Sequence, residues 1–315
     1  MRRLLRLLEP FLGLLLVVAF FYAIPPHLGV SLTDLRTMLV QTVIVGIAAF
    51  GMTLVIVSGG IDLSVGSAIA LSSVAAAMVL RAGHSVWLAL PVALVTGAAC
   101  GLYNGLLITL LRLPPFIATL GTLGFYRGAA KWISGSVPVN APTHGLEHWV
   151  RPAPDPPWLV FAPGVWLMLG LAVLLAGVLR YTILGRHALA IGSNEATARL
   201  SGIRVPRTKV LIYALAGLLT GLAGVMQFAR LTQGDPTVAI GLELDVIAAV
   251  VIGGGSLSGG QGSMAGTLAG AFLMAYLRNR CTALGWPNYV QEMIVGHIII
   301  LAVALDQWRI RRQER

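Results

Sequence analysis

The chain has 315 residues, 57% hydrophobic and 11% charged, with mean hydropathy +0.84. A soluble domain carries about 25% charge, so too few ionic groups are present to wet a globular surface, and a water-soluble protein is excluded. The net charge of +10 sits in short breaks between apolar runs, with no basic stripe backed by a soluble core, so nucleic-acid binding is excluded and the charge reads as loop charge of a membrane protein.

A bilayer core about 30 Å thick needs about 20 helical residues to cross. Apolar runs of that order fall at 8–25, 37–58, 64–81, 87–110, 115–133, 159–180, 209–228, 243–256, 263–280 and 289–308. The expected fold class is therefore all-α: a polytopic membrane protein of about 10 transmembrane helices forming one domain over 1–315. Arg2, Arg3 and Arg6 before the run Phe11–Ile24 imitate a secretory signal. The spans that follow favour an uncleaved first helix.

Between the second and third runs stands Ser58-Gly59-Gly60-Ile61-Asp62-Leu63-Ser64. Two glycines break the helix, and Asp62 can cap the next one. A capped helix start at a membrane surface and a broken helix beside a pathway fit equally well. The stretch 134–158 is rich in proline and carries only Arg151 as a basic residue, which makes it an extracytoplasmic loop. The stretch 181–208 is the long internal loop. Within it Gly192-Ser193-Asn194 offers an N-cap and Gly202 a stop. Glu195 and Arg199 are spaced for an i,i+4 ion pair, and Ala196, Leu200 and Ile203 gather on a neighbouring face. A short cytoplasmic helix with an apolar ridge fits a docking element better than a plain loop helix.

The run 243–256 is short and opens on Glu243-Leu244-Asp245, as a broken or re-entrant segment would. Its acids fit lining of a polar path and capping of a helix N-terminus equally. The string Leu257-Ser258-Gly259-Gly260-Gln261 coincides with the signature of ABC-type ATPases. With no phosphate-binding loop in the chain, it is a glycine-rich turn. The repeats Gly217–Gly221–Gly224 and Gly262–Gly266–Gly270 give smooth helix faces for close packing.

Loop charge orients the spans. With the N-terminus inside, 14 of the 22 Lys and Arg fall on internal segments, among them Arg112, Arg186, Arg204, Arg207, Lys209 and Arg312. Both termini are therefore expected in the cytoplasm. The six histidines are scattered, Cys100 and Cys281 form no framework, and no hydrolase or zinc motif occurs. Neither an enzyme nor a metal site is expected.

Taken in order across 40–305, several strings resemble the ribose/galactofuranose-type permeases of ABC importers, a branch shared more distantly with branched-chain amino acid permeases. They are Gly51-Met52-Thr53-Leu54 running into GGIDLSVGS, Asn104-Gly105, Pro115-Phe116-Ile117-Ala118-Thr119-Leu120-Gly121 and Arg127-Gly128. Ala190-Ile191-Gly192-Ser193-Asn194-Glu195-Ala196 and Leu200-Ser201-Gly202-Ile203 follow, then Glu243-Leu244-Asp245 through Gly253-Gly254.

The resemblance implies a type II ABC importer-like permease in a bacterial inner membrane. Its partners would be a second copy or paralogue, two ATPase subunits inside and a sugar-binding protein outside. The cargo would be a monosaccharide such as ribose, galactofuranose or xylose. No cofactor is expected in this chain, ATP-Mg belonging to the partner ATPase. Ser193, Asn194, Glu195, Ala196, Arg199, Leu200, Ser201 and Gly202 would form the coupling segment. Gly59, Gly60, Asp62, Ser64, Asn104, Phe116, Thr119, Glu243 and Asp245 are the path candidates. The outer loop from Val137 to Pro157 departs from the pattern, which puts its contact with a binding protein in doubt. A nucleoside, an autoinducer sugar or a branched-chain amino acid would suit the same architecture. An ion-coupled transporter would call for mid-span acids, which the sequence lacks.

Overall fold

A computed structural model describes residues 15, 17–23 and 29–313. Most of the span expected at 8–25, with Arg2, Arg3 and Arg6, lies outside them. Helix α1 covers Leu32–Val57, α2 Val65–Arg81, α3 Val86–Leu110 and α4 Pro115–Ser134. Helices α5 (Pro163–Tyr181), α6 (Ile183–Ser193), α7 (Glu195–Leu200) and α8 (Val205–Leu231) follow. After them come α9 (Leu242–Ile252), α10 (Met264–Ala283) and α11 (Asn288–Gln313). Among the described residues the regular structure is helical apart from one two-residue pairing, Val139–Asn140 (β1) antiparallel to Gln233–Gly234 (β2).

Among the described residues four helices combine the length and hydropathy of a membrane crossing: α1, α3, α5 and α8. In α1, 89% of the apolar window is buried inside the protein and in α8 67%, against 28% in α3 and 33% in α5. Helices α1 and α8 are therefore the interior of the bundle, and α3 and α5 present wide apolar faces outward, as lipid-facing helices do. The run at 243–256 resolves into α9, whose 11 residues rise only about 16 Å. It ends at Gly253–Gly255 and does not cross a bilayer alone. The run at 159–180 begins later than expected, at Pro163 in the first turn of α5.

Helices α3 and α8 touch backbone to backbone. A methyl placed on Gly101 would meet the Tyr213 carbonyl and stand 2.9 Å from Gly217 Cα. One on Gly217 would stand 2.8 Å from Gly101 Cα. Without side chains between them the helices approach closely and gain dispersion contacts that lipid cannot supply.

The ends of the helices sort into two layers. At one end Gly260 N–H donates to the Val57 carbonyl at 2.9 Å, and Gly59 lies against Gly192. That layer gathers the α1–α2 break, the α6–α7 junction and the α9–α10 turn. At the other, β1 and β2 pair, Arg36 Nε donates to the Val160 carbonyl at 2.8 Å, and Arg280 approaches Asp34 at 3.6 Å. Trp87 and Trp132 lie in this second layer, 84% and 85% exposed. Exposed indoles at one level mark where an apolar belt meets water.

Candidate functional site

Helix α1 stops where Gly59 takes φ +77° and the chain turns through Gly60. A Cβ on Gly60 would stand 2.5 Å from the Tyr213 hydroxyl, so the turn admits no side chain there. The turn delivers Asp62 into the protein, 5% exposed. Its Oδ1 accepts the backbone N–H of Ser64 at 2.8 Å and the Ser64 hydroxyl at 2.6 Å. Asp62 thus orders the residue that begins α2, Ser64 itself being the N-cap. The expected cap to a first-turn N–H is not made.

Asn104 of α3 closes the cluster. Its Nδ2 donates to Ser64 Oγ at 2.8 Å and reaches both Asp62 oxygens at 3.4 Å. Its Oδ1 accepts from Thr122 at 2.7 Å and from Tyr126 at 3.0 Å. Thr119 donates to the Pro115 carbonyl at 2.9 Å and approaches the Ile61 carbonyl at 3.3 Å, to which Tyr213 also donates at 3.3 Å. The structure therefore joins Asp62, Ser64, Asn104 and Thr119 in one buried polar node with Gly60 at its edge. Phe116 stays outside it, 51% exposed on α4. Thr122, Tyr126 and Tyr213 were missed by sequence reasoning. The spacing Thr119, Thr122, Tyr126 places three hydroxyls on one helix face, a signal that was available.

On the same layer the stretch read as an internal loop holds the expected short helix, α7, preceded by α6, which was not expected. Asn194 Oδ1 accepts from Thr197 N–H at 2.9 Å and caps α7, and Gly202 ends it at φ +84°. Glu195 holds the expected Arg199 at 3.1 Å and an unforeseen Lys209 of α8 at 2.7 Å. The hydrogen bond from Lys209 is the main cause that keeps the Glu195 carboxyl below its ordinary range, with Arg199 adding to it. Ile203 turns inward with Ile191, Ala198 and Val205, so the outward ridge is Ala196 and Leu200 alone. Leu200 is 90% exposed.

In the opposite layer Asp245 forms an ion pair with Arg278 at 2.8 Å. Glu243 is half-buried beside Gly66, and Arg127 is turned to the neighbouring loop, donating to the carbonyls of Pro236 and Val238 at 2.8 and 2.6 Å. Through Gly66, two residues past Ser64, the Glu243 carboxylate reaches the first turn of α2 beside the Asp62 node. Among the described residues no group of His, Cys, Asp and Glu is placed to hold a metal ion.

The family described as branched-chain amino acid transport system / permease component matches residues 35–303. The ribose import permease protein RbsC of Escherichia coli (strain K12) is 40% identical over 304 residues, which cover 94% of this chain and 92% of that protein. RbsC of Bacillus subtilis (strain 168) is 40% identical over 303 residues, 95% of this chain and 92% of that one. The L-arabinose ABC transporter permease protein AraH of Azospirillum brasilense is 35% identical over 305 residues, 95% of this chain and 88% of that one. No solved structure matches the chain.

Proposed function

This chain belongs to the family of branched-chain amino acid transport system permease components, and from that premise we propose that it is the membrane subunit of an ATP-driven importer of a monosaccharide. The near full-length likeness to ribose and arabinose permeases supports the sugar. The observation that carries the mechanism is α7: a capped, ion-paired helix that leaves Leu200 90% exposed. Ala196 and Leu200 face outward together on this rigid support, a small apolar ridge that suits docking, and we assign an ATPase subunit as its partner. ATP would bind there, outside this chain. In this reading about ten spans cross the inner membrane with both termini in the cytoplasm. A second permease and an extracytoplasmic sugar-binding protein complete the importer.

The Asp62 node plays a supporting part. Its oxygens are used internally, so it braces α2, α3 and α4 around the Gly59–Gly60 break. Glu243 and Asp245 serve the outer path.

Uptake of labelled ribose and arabinose into proteoliposomes holding the complete importer tests the assignment. Leu200→Glu places a charge on the docking ridge and is expected to cut uptake at least tenfold while the permease still folds. Undiminished uptake would refute the docking role, and wild-type uptake of leucine in place of either pentose would refute the sugar.

A further inference from the structure

Running inward from the layer that holds β1 and β2, which the importer reading places outside, is a half-open cavity of about 310 Å³, at the small end of ligand sites, which span about 300–1,000 Å³. Five helices meet there. The polar groups are Gln41 of α1, Arg230 of α8, Asp245 of α9, Arg278 and Thr282 of α10 and Gln291 of α11. Val45, Leu242, Met274 and Ala275 give it apolar wall. Ionisable side chains in the spanning part of a membrane protein face an interior or a water-filled space rather than lipid, and this cavity is where these three point.

We propose that this cavity is a holding site for a neutral, hydroxyl-rich solute of monosaccharide size, an assignment that rests on the importer reading above. Arg278 Nη2 donates to Asp245 Oδ1 at 2.9 Å and its Nε to Oδ2 at 3.1 Å. The pair is thereby fixed, yet each carboxylate oxygen keeps a lone pair and the guanidinium keeps further N–H donors. Gln291 spends its amide nitrogen on Thr282 Oγ1 at 3.3 Å and the Trp286 carbonyl at 3.2 Å, which leaves its carbonyl to accept. Arg230 makes no ion pair among the described residues.

Such a lining alternates donors with acceptors. A hydroxyl both donates and accepts, so vicinal hydroxyls match it group for group. A carboxylate solute would confront Asp245, and a cation would confront two guanidiniums. A branched aliphatic side chain would cover the apolar part of the wall but would strip water from the fixed charges without replacing it.

The test uses the complete importer in proteoliposomes, with labelled D-ribose, L-arabinose, D-ribonate and L-leucine as probes. Met274→Trp fills the cavity without altering charge, and Asp245→Asn removes the carboxylate charge and exchanges one of its two acceptor oxygens for a donor. Each is expected to lower pentose uptake at least tenfold, with ATP hydrolysis changed less than twofold. In a Cys100→Ala, Cys281→Ala background, Gln41→Cys is expected to react with a membrane-impermeant thiol reagent added outside, and 10 mM of the transported pentose with binding protein to slow that reaction severalfold (roughly the occupancy expected of a weak site). Wild-type uptake of pentose together with undiminished uptake by Met274→Trp overturns the cavity and leaves the importer reading standing. Uptake of ribonate or leucine in preference to the pentoses overturns the solute class, leucine alone overturning the sugar reading with it. Absence of thiol reaction at Gln41→Cys overturns the cavity whatever the cargo, including when the variants at 245 and 274 fail to fold.

Discussion

Asn104 shows how much one side chain carries. Fully buried, it donates to Ser64 and Asp62 and accepts from Thr122 and Tyr126. Leucine at this position would leave several of those groups without partners, at about 1–3 kcal/mol for a buried group so stranded. Asn104→Leu is expected to cost about 2–4 kcal/mol in all, read as a fall of several degrees in the melting temperature of the purified permease. An unchanged melting temperature would remove the node from the supports of the fold. Glu195 makes a prediction of the opposite kind, about pH. Its folded-state pKa lies below the ordinary 4.5, chiefly through Lys209. The ion pairs therefore steady α7 fully above about pH 4.5, and the support fades as pH falls through the lower, folded value. Protection factors for amide exchange in 195–200, taken relative to the intrinsic rate at each pH, should be high at neutral pH and fall on acidification. Lys209→Ala should bring that fall to higher pH, and an identical pH profile in the variant would sever Lys209 from α7.

Among the elements, α3 and α8 depend on the absence of side chains. Gly217→Val would drive a branched group into Gly97 and Gly101 backbone, and overpacking of this kind costs about 1–3 kcal/mol or more. The expected result is a permease recovered from membranes in much lower yield or with a clearly lowered melting temperature. Gly121→Ala is the control: nothing lies within 4 Å of that position, so the change should be neutral or gain about 0.5–1 kcal/mol from helix propensity. Equal behaviour of the two variants would dissolve the packing argument. The helices themselves were legible because hydropathy and length dictate them, and α7 because Asn194 and Gly202 cap it in recognisable ways. The truncation of the eighth run into α9 was only half legible. Hydropathy marks apolar residues, whereas Gly253–Gly255 end the helix through backbone freedom. The Asp62 node drew its members from α3 and α4, and no local pattern pairs Asn104 with Ser64 across 40 residues of chain. Lys209 escaped for the same reason: its partner is tertiary, while Arg199 is helical spacing.

For the whole molecule the two layers of helix ends make a sidedness prediction. In the cysteine-free background, His144→Cys should react with an impermeant maleimide on intact spheroplasts, and Thr197→Cys only after lysis. Reaction of both from one side would invert or break the proposed topology. The inner layer also bears on exchange between importers. Gly192 is pressed against the Val57 carbonyl and stands 2.6 Å, measured from a Cβ it does not have, from Gly260 N. Three segments distant in sequence thus share a joint made of main chain alone. A graft that retargets the permease to a foreign ATPase can therefore replace Glu195–Leu200, provided it keeps Glu195 for Lys209 and the buried Ala198. One that extends back through 192 inherits a mortise cut for this bundle, and must carry glycine there or fail to seat.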